Sequence, residues 1–536
     1  MSRRVDWPLS IVIALSILAA ICVALWYIPR AIIGWDEAHY LTQVYQMTQA
    51  VRSGNVSQII SISRTMYSPP PMQAWLLALP LAVTGYSHMW ARLFGLLFFI
   101  ATALGTYALG CMTDPRRGKI VGLVGAMFIL TSPMMLFFAS IAEKEMLGAA
   151  FTVITVFLYV HARKQSQWYW DIGVGVSIAM SIFIKFPYGI LLGAGITIEG
   201  CISFFSTKRK IPFIMHHVLM LIVPVLSLAW WTFTPYNQLG AFIETIQNIG
   251  YYTTNMVPYW STNQLLFYPR AILFEYSASI WIGGMLLAAC LSLPWIWKRT
   301  SLRLSWLLFV INIVTGTVHI QIMFERFIFT TAPFLFVIGS YSLVRVVDWA
   351  VAHRSKSTIT GLLFGAGAII LALVCIDIGQ LKSYVYAVGS YTNKTAMFNQ
   401  RNYTDLWFNY DRSKWSYTLP TPPFEEPKDV VNYVVTTADP HKPIQLIGYA
   451  NELSPWYFDI EEELALTHTQ SRQDGYSRYI AVLHISPTSR LYTYDYQYLN
   501  QIEPWNIPPQ APDPSWTLIG QRNFRDLGVD VSVYGT

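Results

Sequence analysis

About eleven apolar runs of membrane-spanning length fill the first 384 residues of this 536-residue chain, and they constrain its fold more than any other feature. A transmembrane helix needs about 20 mostly apolar residues. Only 12% of the residues are charged, against roughly a quarter in a soluble domain. The sequence therefore predicts a polytopic α-helical membrane protein with about 11 transmembrane helices, in a range of roughly 10 to 13. The predicted spans are 9–29, 91–111, 119–139, 146–162, 170–185, 187–206, 212–233, 274–297, 302–320, 327–346 and 358–380.

Basic residues occur in short clusters between these runs, and the clusters predict the orientation. With the spans above, every cluster faces the same side of the membrane, which the positive-inside rule makes the cytoplasmic side. The net charge of +6 is concentrated in these loops, so it does not indicate a nucleic-acid partner. The N-terminus is then cytoplasmic and the C-terminal region lies outside. The clusters are Arg3/Arg4, Arg116/Arg117/Lys119, Arg163/Lys164, Lys208/Arg209/Lys210, Lys298/Arg299/Arg303 and Arg354/Lys356.

The apolar stretch from Met72 to Tyr86 is left out of the spans. It has only about 15 residues, follows three prolines and ends near Gly85, which favours an interfacial or re-entrant helix. If this stretch crossed the membrane, every later basic cluster would face the side opposite to the N-terminus.

The segments outside the predicted spans define the domain organisation. We expect residues 1–384 to form a transmembrane domain with exterior loops at 30–90 and 234–273, and residues 385–536 to form a small exterior α/β domain. Hydrophobic patterns in that domain predict a helix over 425–437 and strands over 444–449, 479–484, 516–519 and 529–534.

Two acidic sites lie on the predicted exterior side. Asp36 and Glu37 follow the first span, where adjacent carboxylates can hold a hydroxyl acceptor, take its proton or bind a divalent cation. The alternative is that they complement the dipole of a helix that runs from here through Met47. Glu143 and Glu145 lie at the mouth of the third and fourth spans, where a solvated turn is the favoured interpretation when the motif is taken alone.

Isolated cations lie on the same side. Lys185, Arg270 and Arg326 stand at exterior ends of spans, and Arg64 lies in the first loop. A cation close to the hydrocarbon costs about 2.5–3.5 kcal/mol unless it reaches the interface or finds a partner. Such residues either extend to lipid phosphates or bind the phosphate of a lipid-linked substrate. Carboxylates and cations on one face suit transfer of a sugar to a hydroxyl group, and they also suit ion-coupled transport.

Several fragments follow one another in a recognisable order. They are Trp35-Asp36-Glu37-Ala38-His39-Tyr40, Tyr67-Ser68-Pro69-Pro70-Pro71 followed by Trp75-Leu76-Leu77-Ala78-Leu79, Ala91-Arg92-Leu93, Ala142-Glu143-Lys144-Glu145-Met146, Lys185-Phe186-Pro187, and Arg326-Phe327 with Pro333. In order and spacing they resemble motifs of the GT-C glycosyltransferases, in particular the bacterial relatives of protein O-mannosyltransferases and of lipid A aminoarabinose transferases.

This resemblance implies a GT-C-like fold with exterior juxtamembrane helices, and a sugar donor carried on a polyprenyl phosphate. It implies inverting transfer from the bilayer to a lipid, glycan or protein acceptor at the exterior face. Asp36 would be the acceptor-activating base, with Glu37 beside it and Glu145 as the second acidic residue. A divalent cation, Mg²⁺ or Mn²⁺, at Asp36 and Glu145 is the alternative role for these carboxylates, and no other cofactor is implied. Candidates for the phosphate are Lys185, Arg270, Arg326 and Arg64, and candidates for other substrate contacts are Tyr67, His39 and Glu143.

The sequence also departs from the family pattern. Ser68 stands where aminoarabinose transferases carry a lysine before the proline pair, and Glu145 stands where aspartate is usual. The alternative functions are a lipid-linked saccharide transporter, a polysaccharide polymerase or a membrane-anchored interaction module. The motif matches favour a bacterial inner membrane, with the C-terminal domain in the periplasm.

Overall fold

A computed structural model of the chain describes residues 6–28, 35–65, 70–165, 167–232, 262–274, 276–277, 280–292, 296–319, 325–352, 427–438, 444–448, 479–485, 516–524 and 529–535. The chain divides into two compact units, residues 1–30 with 46–403 and residues 31–45 with 404–536. The predicted domain boundary at residue 385 lies outside the described residues.

Helices make up nearly all of the described part of the chain before residue 353. In chain order they are α1 (Trp7–Cys22, continued by a π-helical turn at Val23–Tyr27), α2 (Trp35–Arg52), α3 (Val56–Thr65), α4 (Met72–Thr84), α5 (His88–Cys111), α6 (Gly118–Thr131), α7 (Pro133–Ser140), α8 (Lys144–Gln165), α9 (Trp168–Ile184), α10 (Phe186–Ser206), α11 (Lys210–Thr232), α12 (Thr262–Phe274), α13 (Ile280–Ala289), α14 (Thr300–His319), a 3₁₀ segment (Glu325–Thr331) and α15 (Ala332–Ala352).

Seven of the described helices are long and apolar enough to cross a membrane, and the number becomes eight if α6 and α7 form one bent span. The predicted count of about 11 is therefore not confirmed. Helix α9 has 17 residues and falls among the shorter apolar helices, and α13, inside the predicted span 274–297, has 10. The predicted span 358–380 lies outside the described residues.

The predicted span 119–139 is broken in the structure. Helices α6 and α7 are bent by 61° at Ser132, and Pro133 is the first residue of α7. Proline lacks a backbone N–H and its ring clashes with the preceding turn, so it favours a kink or break in a helix. Every residue of α7 is buried, which shows that the bent segment packs inside the protein.

The stretch that begins at Met72 forms a helix shorter than a membrane span, as predicted. Helix α4 has 13 residues and ends before Gly85, whose φ is 86°. This left-handed conformation favours glycine, because a β-carbon would be strained there.

Small residues let the first hairpin of long helices, α5 and α6, pack closely. A β-carbon placed on Gly110 would lie 2.4 Å from the α-carbon of Gly122. Close backbone approach at small residues is a common way for membrane helices to associate. Among the helices that are long enough to span a membrane, α8 and α15 are the most buried, so they lie in the interior of the helix bundle.

Ion pairs bring several of the basic clusters to one end of the helix bundle, which we call the basic end. They join the residue before α1, the α5–α6 loop, the segment before α14 and the last turns of α15. This shared location agrees with the one-sided distribution predicted from the sequence. The pairs are Lys119–Asp6 at 2.6 Å, Arg117–Asp348 at 3.0 Å and Arg299–Asp114 at 3.0 Å.

The second unit contains helix α16 (Pro427–Thr437) and a four-stranded sheet in the order β1-β2-β4-β3. Strands β1 and β2 are parallel, and β4 is antiparallel to both of its neighbours. The predicted helix and four strands are confirmed, but β3 continues five residues beyond the predicted end at Ile519. Gln521, Arg522 and Asn523 are polar and exposed, and pairing with β4 extends the strand through them to the buried Phe524. The strands are β1 (Ile444–Gly448), β2 (Tyr479–Ile485), β3 (Thr517–Phe524) and β4 (Val529–Gly535).

Candidate active site

The second acidic motif is buried at the start of helix α8. Glu143, Lys144 and Glu145 are 3%, 1% and 0% exposed. Charged side chains are almost never fully buried unless they are paired. The solvated turn that the motif alone favoured is therefore wrong, because the surrounding helices cover all three residues.

Lys185 supplies a charged contact to Glu145. Its Nζ lies 3.0 Å from Oε1 of Glu145, and the hydroxyl of Tyr188 donates to the same oxygen at 3.3 Å. The Lys185 side chain remains 24% exposed, while Glu145 has no exposed surface. A carboxylate 40 residues away in the sequence thus meets the isolated lysine. We call the end of the bundle that holds Glu145, Lys185 and Tyr188 the site end.

The local sequence explains how Lys185 comes to lie there. It is the one residue between α9 and α10, and its backbone is extended, with φ −159° and ψ 126°. Pro187 follows within the first turn of α10, where the missing N–H costs nothing. Tyr188 lies three residues after Lys185 in the first turn of α10, and the centre of its ring is 5.6 Å from Nζ of Lys185. Sequence reasoning missed this tyrosine, although its spacing from Lys185 could have indicated it.

Gly148 lets Tyr188 pack against α8. Gly148 lies one turn after Glu145, and a β-carbon there would be 2.4 Å from Cε2 of Tyr188. The same β-carbon would be 3.0 Å from Cγ2 of Thr330 in the 3₁₀ segment. Glycine at this position therefore allows the tyrosine ring to reach Glu145.

We expect Gly148→Ala to displace Tyr188 and to lower the free energy of unfolding by about 1–3 kcal/mol, as overpacking does. The sugar transfer that the sequence resemblance implies should slow as well, by about tenfold or more, because small displacements of positioning groups are costly. Thermal unfolding in detergent and initial rates provide the two measurements. Gly193→Ala in α10 is the matched control, since a β-carbon there meets nothing within 4 Å. Equal behaviour of the two variants would contradict the close approach.

Hydrogen bonds attach helix α4 to the same end of the bundle. Lys144 Nζ donates to the carbonyl of Pro70 at 2.8 Å, and the Gln73 side-chain amide donates to the carbonyl of Ala142. The ring of Trp75 lies 5.5 Å from that of Phe183, two residues before Lys185. Helix α4 is thus attached to the start of α8 and the end of α9.

Helix α3, which carries Arg64, is joined to α4. The indole N–H of Trp75 donates to Oγ of Ser63 at 2.8 Å, and Arg64 is the next residue, with a partly buried side chain. Arg64 therefore lies on an element that is connected to the site end. Tyr67, two residues beyond α3, lies outside the described residues.

The other candidate phosphate ligands lie on neighbouring elements. Arg270 is partly buried on α12, which packs against α14 and the 3₁₀ segment. The 3₁₀ segment carries Arg326 and packs against α8, with Thr330 close to Gly148. The structure describes the backbone of Arg326 and not its side chain. The element that carries Arg326 therefore adjoins α8, and α12 adjoins the 3₁₀ segment.

The first acidic motif lies in helix α2. Asp36 and Glu37 are in its first turn and His39 follows, which agrees with the predicted helix through Met47. Their side chains lie outside the described residues. The predicted proximity of Asp36 to Lys185 and Arg326 therefore stays a prediction.

The surroundings of Glu145 in the described part of the chain bear on whether it could bind a metal ion. Among them, no group of three or more His, Cys, Asp and Glu residues could hold a metal. Glu145 instead has the Lys185 ammonium at 3.0 Å, and this positive charge would repel a cation bound to the same oxygen. Glu145 is therefore better suited to an ion pair with Lys185 than to binding a metal ion.

Comparison with known families and structures gives one family match. Residues 68–231 match the family described as dolichyl-phosphate-mannose-protein mannosyltransferase. That range contains α4, the buried acidic motif and Lys185. No curated protein is significantly similar to the chain.

Two solved structures share the fold over nearly the whole chain. ArnT from Cupriavidus metallidurans bound to undecaprenyl phosphate is 13% identical, with a TM-score of 0.57 over 98% of this chain and 97% of that chain. The apo state of the same protein is 14% identical, with a TM-score of 0.55 over 97% of each chain. Residues 68–231 are thus similar to a family of lipid-phosphate-dependent mannosyltransferases, and the chain has the fold of these two ArnT structures.

Proposed function

We propose that this enzyme transfers a sugar, with inversion, from a polyprenyl-phosphate donor to a hydroxyl group of a lipid, glycan or protein. The proposed location is the periplasmic face of a bacterial inner membrane. The observation that carries the proposal is the buried Glu145 carboxylate held by Lys185 and Tyr188 at the site end. The family match and a fold shared with a protein that binds undecaprenyl phosphate support the donor class.

In the proposed step, the acceptor oxygen bonds to the anomeric carbon while the bond from that carbon to the phosphate oxygen breaks. The hydroxyl proton passes to Asp36, and the electron pair of the broken bond stays on the departing polyprenyl phosphate. Negative charge grows on that phosphate in the transition state. Cations fixed beside it lower the barrier, because they stabilise developing charge without reorganising.

Lys185 has the properties that this phosphate contact requires. Its ammonium has three N–H donors, and one of them is directed to Glu145. The side chain keeps partial exposure, so the remaining donors can reach a phosphate that arrives from the bilayer. Glu145 would then act as a positioning residue that orients the lysine. Arg270, Arg326 and Arg64 complete the proposed phosphate contacts, and Glu37, His39, Tyr67 and Glu143 are proposed to contact the acceptor or the sugar.

A panel of labelled polyprenyl-phospho-sugars tests the function directly. The purified full-length enzyme is incubated with each donor in liposomes that contain a membrane extract, and label is followed into lipid, protein and polysaccharide fractions. We expect covalent transfer of one kind of sugar, with release of an equal amount of polyprenyl phosphate. Label that crosses the liposome membrane without changing its covalent attachment would contradict transfer and indicate a transporter.

We expect transfer to continue after metal ions are removed. The physical reason is the Lys185 ammonium, which supplies at Glu145 the positive charge that a metal would otherwise supply. The measurement is the initial rate after dialysis against EDTA, and again after Mg²⁺ or Mn²⁺ is added back. A rate that falls about tenfold or more and returns with either ion would assign the carboxylates as metal ligands instead.

A further inference from the structure

A pocket lined almost entirely by charged side chains opens at the basic end, away from Glu145 and Lys185. Its volume is about 570 Å³, within the range of about 300–1,000 Å³ typical of small-molecule sites. It is formed by the α5–α6 loop, the residue before α14 and the last turns of α15. Its lining residues are Asp114, Pro115, Arg116, Arg117, Arg299, Arg345 and Asp348.

The pocket has more positive than negative charge. Four arginines face two aspartates, which leaves a net formal charge of +2. Each aspartate is already engaged, Asp114 with Arg299 and Asp348 with Arg117, both at 3.0 Å. Within the described part of the chain, the two remaining arginines have no carboxylate at ion-pair distance. These excess guanidiniums are Arg116 and Arg345.

Asp114 holds the pocket in shape. Its Oδ1 accepts the backbone N–H groups of Arg116 at 2.8 Å and Arg117 at 3.1 Å, while Oδ2 accepts from Arg299. Burial alone would raise its pKa, but these N–H groups and the charges of Arg299 and Arg345 outweigh burial, so the pKa of Asp114 is lowered. The loop is therefore fixed by an ionised carboxylate at neutral pH.

An aromatic ring orients two of the arginines. The guanidinium carbon of Arg299 lies 5.9 Å from the ring centre of Tyr341, and that of Arg345 lies 5.7 Å from it. Tyr341 is almost fully buried. Guanidiniums near an aromatic face gain a cation–π attraction that favours fixed positions. The positive-inside rule requires only basic residues on this side, and it does not require a shaped pocket with oriented arginines.

We propose that this pocket binds a phosphate group, either of an anionic phospholipid in the adjoining leaflet or of a soluble phosphate compound. Guanidinium groups bind phosphate through paired N–H donors, and basic pockets between membrane helices on the cytoplasmic side are suited to anionic headgroups. The pocket lies at the ends of α5, α6 and α15, where a headgroup would meet it. The two excess guanidiniums contact the phosphate, and the two ion-paired arginines frame it.

The test compares lipid binding by the full-length enzyme and two charge-matched variants. Arg116→Gln/Arg345→Gln removes the excess guanidiniums, and Lys208→Gln/Arg209→Gln removes two exposed charges from another loop with a basic cluster. Native mass spectrometry measures the affinity for phosphatidylglycerol and for phosphatidylcholine, and thermal unfolding is followed with added inorganic phosphate. We expect the pocket variant to bind phosphatidylglycerol about tenfold more weakly, and the control variant to bind it like the wild type.

The two measurements also distinguish a lipid phosphate from a soluble phosphate compound. Preference for phosphatidylglycerol that depends on the pocket arginines assigns a lipid headgroup. Stabilisation by inorganic phosphate that disappears in the pocket variant, without lipid preference, assigns a soluble phosphate compound. If the pocket variant matches the control in both measurements, the proposal is wrong.

Discussion

Asp36→Asn should lower the turnover of this enzyme by about 100-fold or more, with binding of the donor unchanged. Asparagine has nearly the same shape as aspartate but cannot accept a proton from the acceptor hydroxyl. In the proposed function, the donor is bound through its phosphate by cations on other elements, so its affinity should not depend on this carboxylate. The measurements are turnover with a defined donor and acceptor, and retention of labelled donor by the purified variant.

Asp6→Asn is the matched control, because it makes the same chemical change at the basic end. Asp6 forms an exposed pair with Lys119, and exposed pairs contribute only about 0–1 kcal/mol. We therefore expect wild-type turnover from the control. Wild-type turnover from Asp36→Asn would show that Asp36 is not the base. Loss of donor binding in that variant would place Asp36 at the phosphate or a metal instead.

Lys185→Gln should lower both activity and stability. The variant leaves the fully buried Glu145 carboxylate without its lysine, and removing one member of a buried pair costs about 3–5 kcal/mol. Loss of a cation at the phosphate should lower the transfer rate by about 100-fold. Glu145→Gln should be less destabilising, because the partly exposed lysine left behind can reach water. Thermal unfolding in detergent and initial rates separate the two effects.

The double variant Glu145→Gln/Lys185→Gln distinguishes a catalytic pair from a structural one. Two neutral amides avoid an unpaired buried charge, so stability should return towards that of the wild type. Activity should stay low, because the contact of Lys185 with the phosphate is still missing. Lys119→Gln, which breaks the exposed pair with Asp6, should change neither property much. If the double variant regained activity, Lys185 would have only a structural role.

Features that depend on residues close together in the sequence could be predicted without the structure. The short helix from Met72 and the strands of the C-terminal domain follow from local hydrophobicity and from turn residues such as Gly85. The span count was less predictable, because hydropathy alone could not reveal the 61° bend at Ser132 or the short helix Ile280–Ala289. Those breaks depend on how the segments pack against other helices.

The candidate site shows the same division. Lys185 and Glu145 could be singled out because charges are costly at the ends of apolar spans, and that cost depends on local sequence alone. The sequence could not predict their 3.0 Å contact, the burial of the whole acidic motif or the role of Tyr188. These features depend on contacts between residues about 40 positions apart.

The sequence by itself determined that this chain spans the membrane repeatedly, which face its basic loops share, and which isolated charges need an explanation. Only the tertiary structure decided that Glu145 is held by Lys185 and Tyr188, and that four arginines from three separate segments enclose one pocket. Hydrophobicity is a property of each segment, so it can be read along the chain. The pairing of charges depends on which helices pack side by side, and this arrangement cannot be derived from hydrophobicity along the chain.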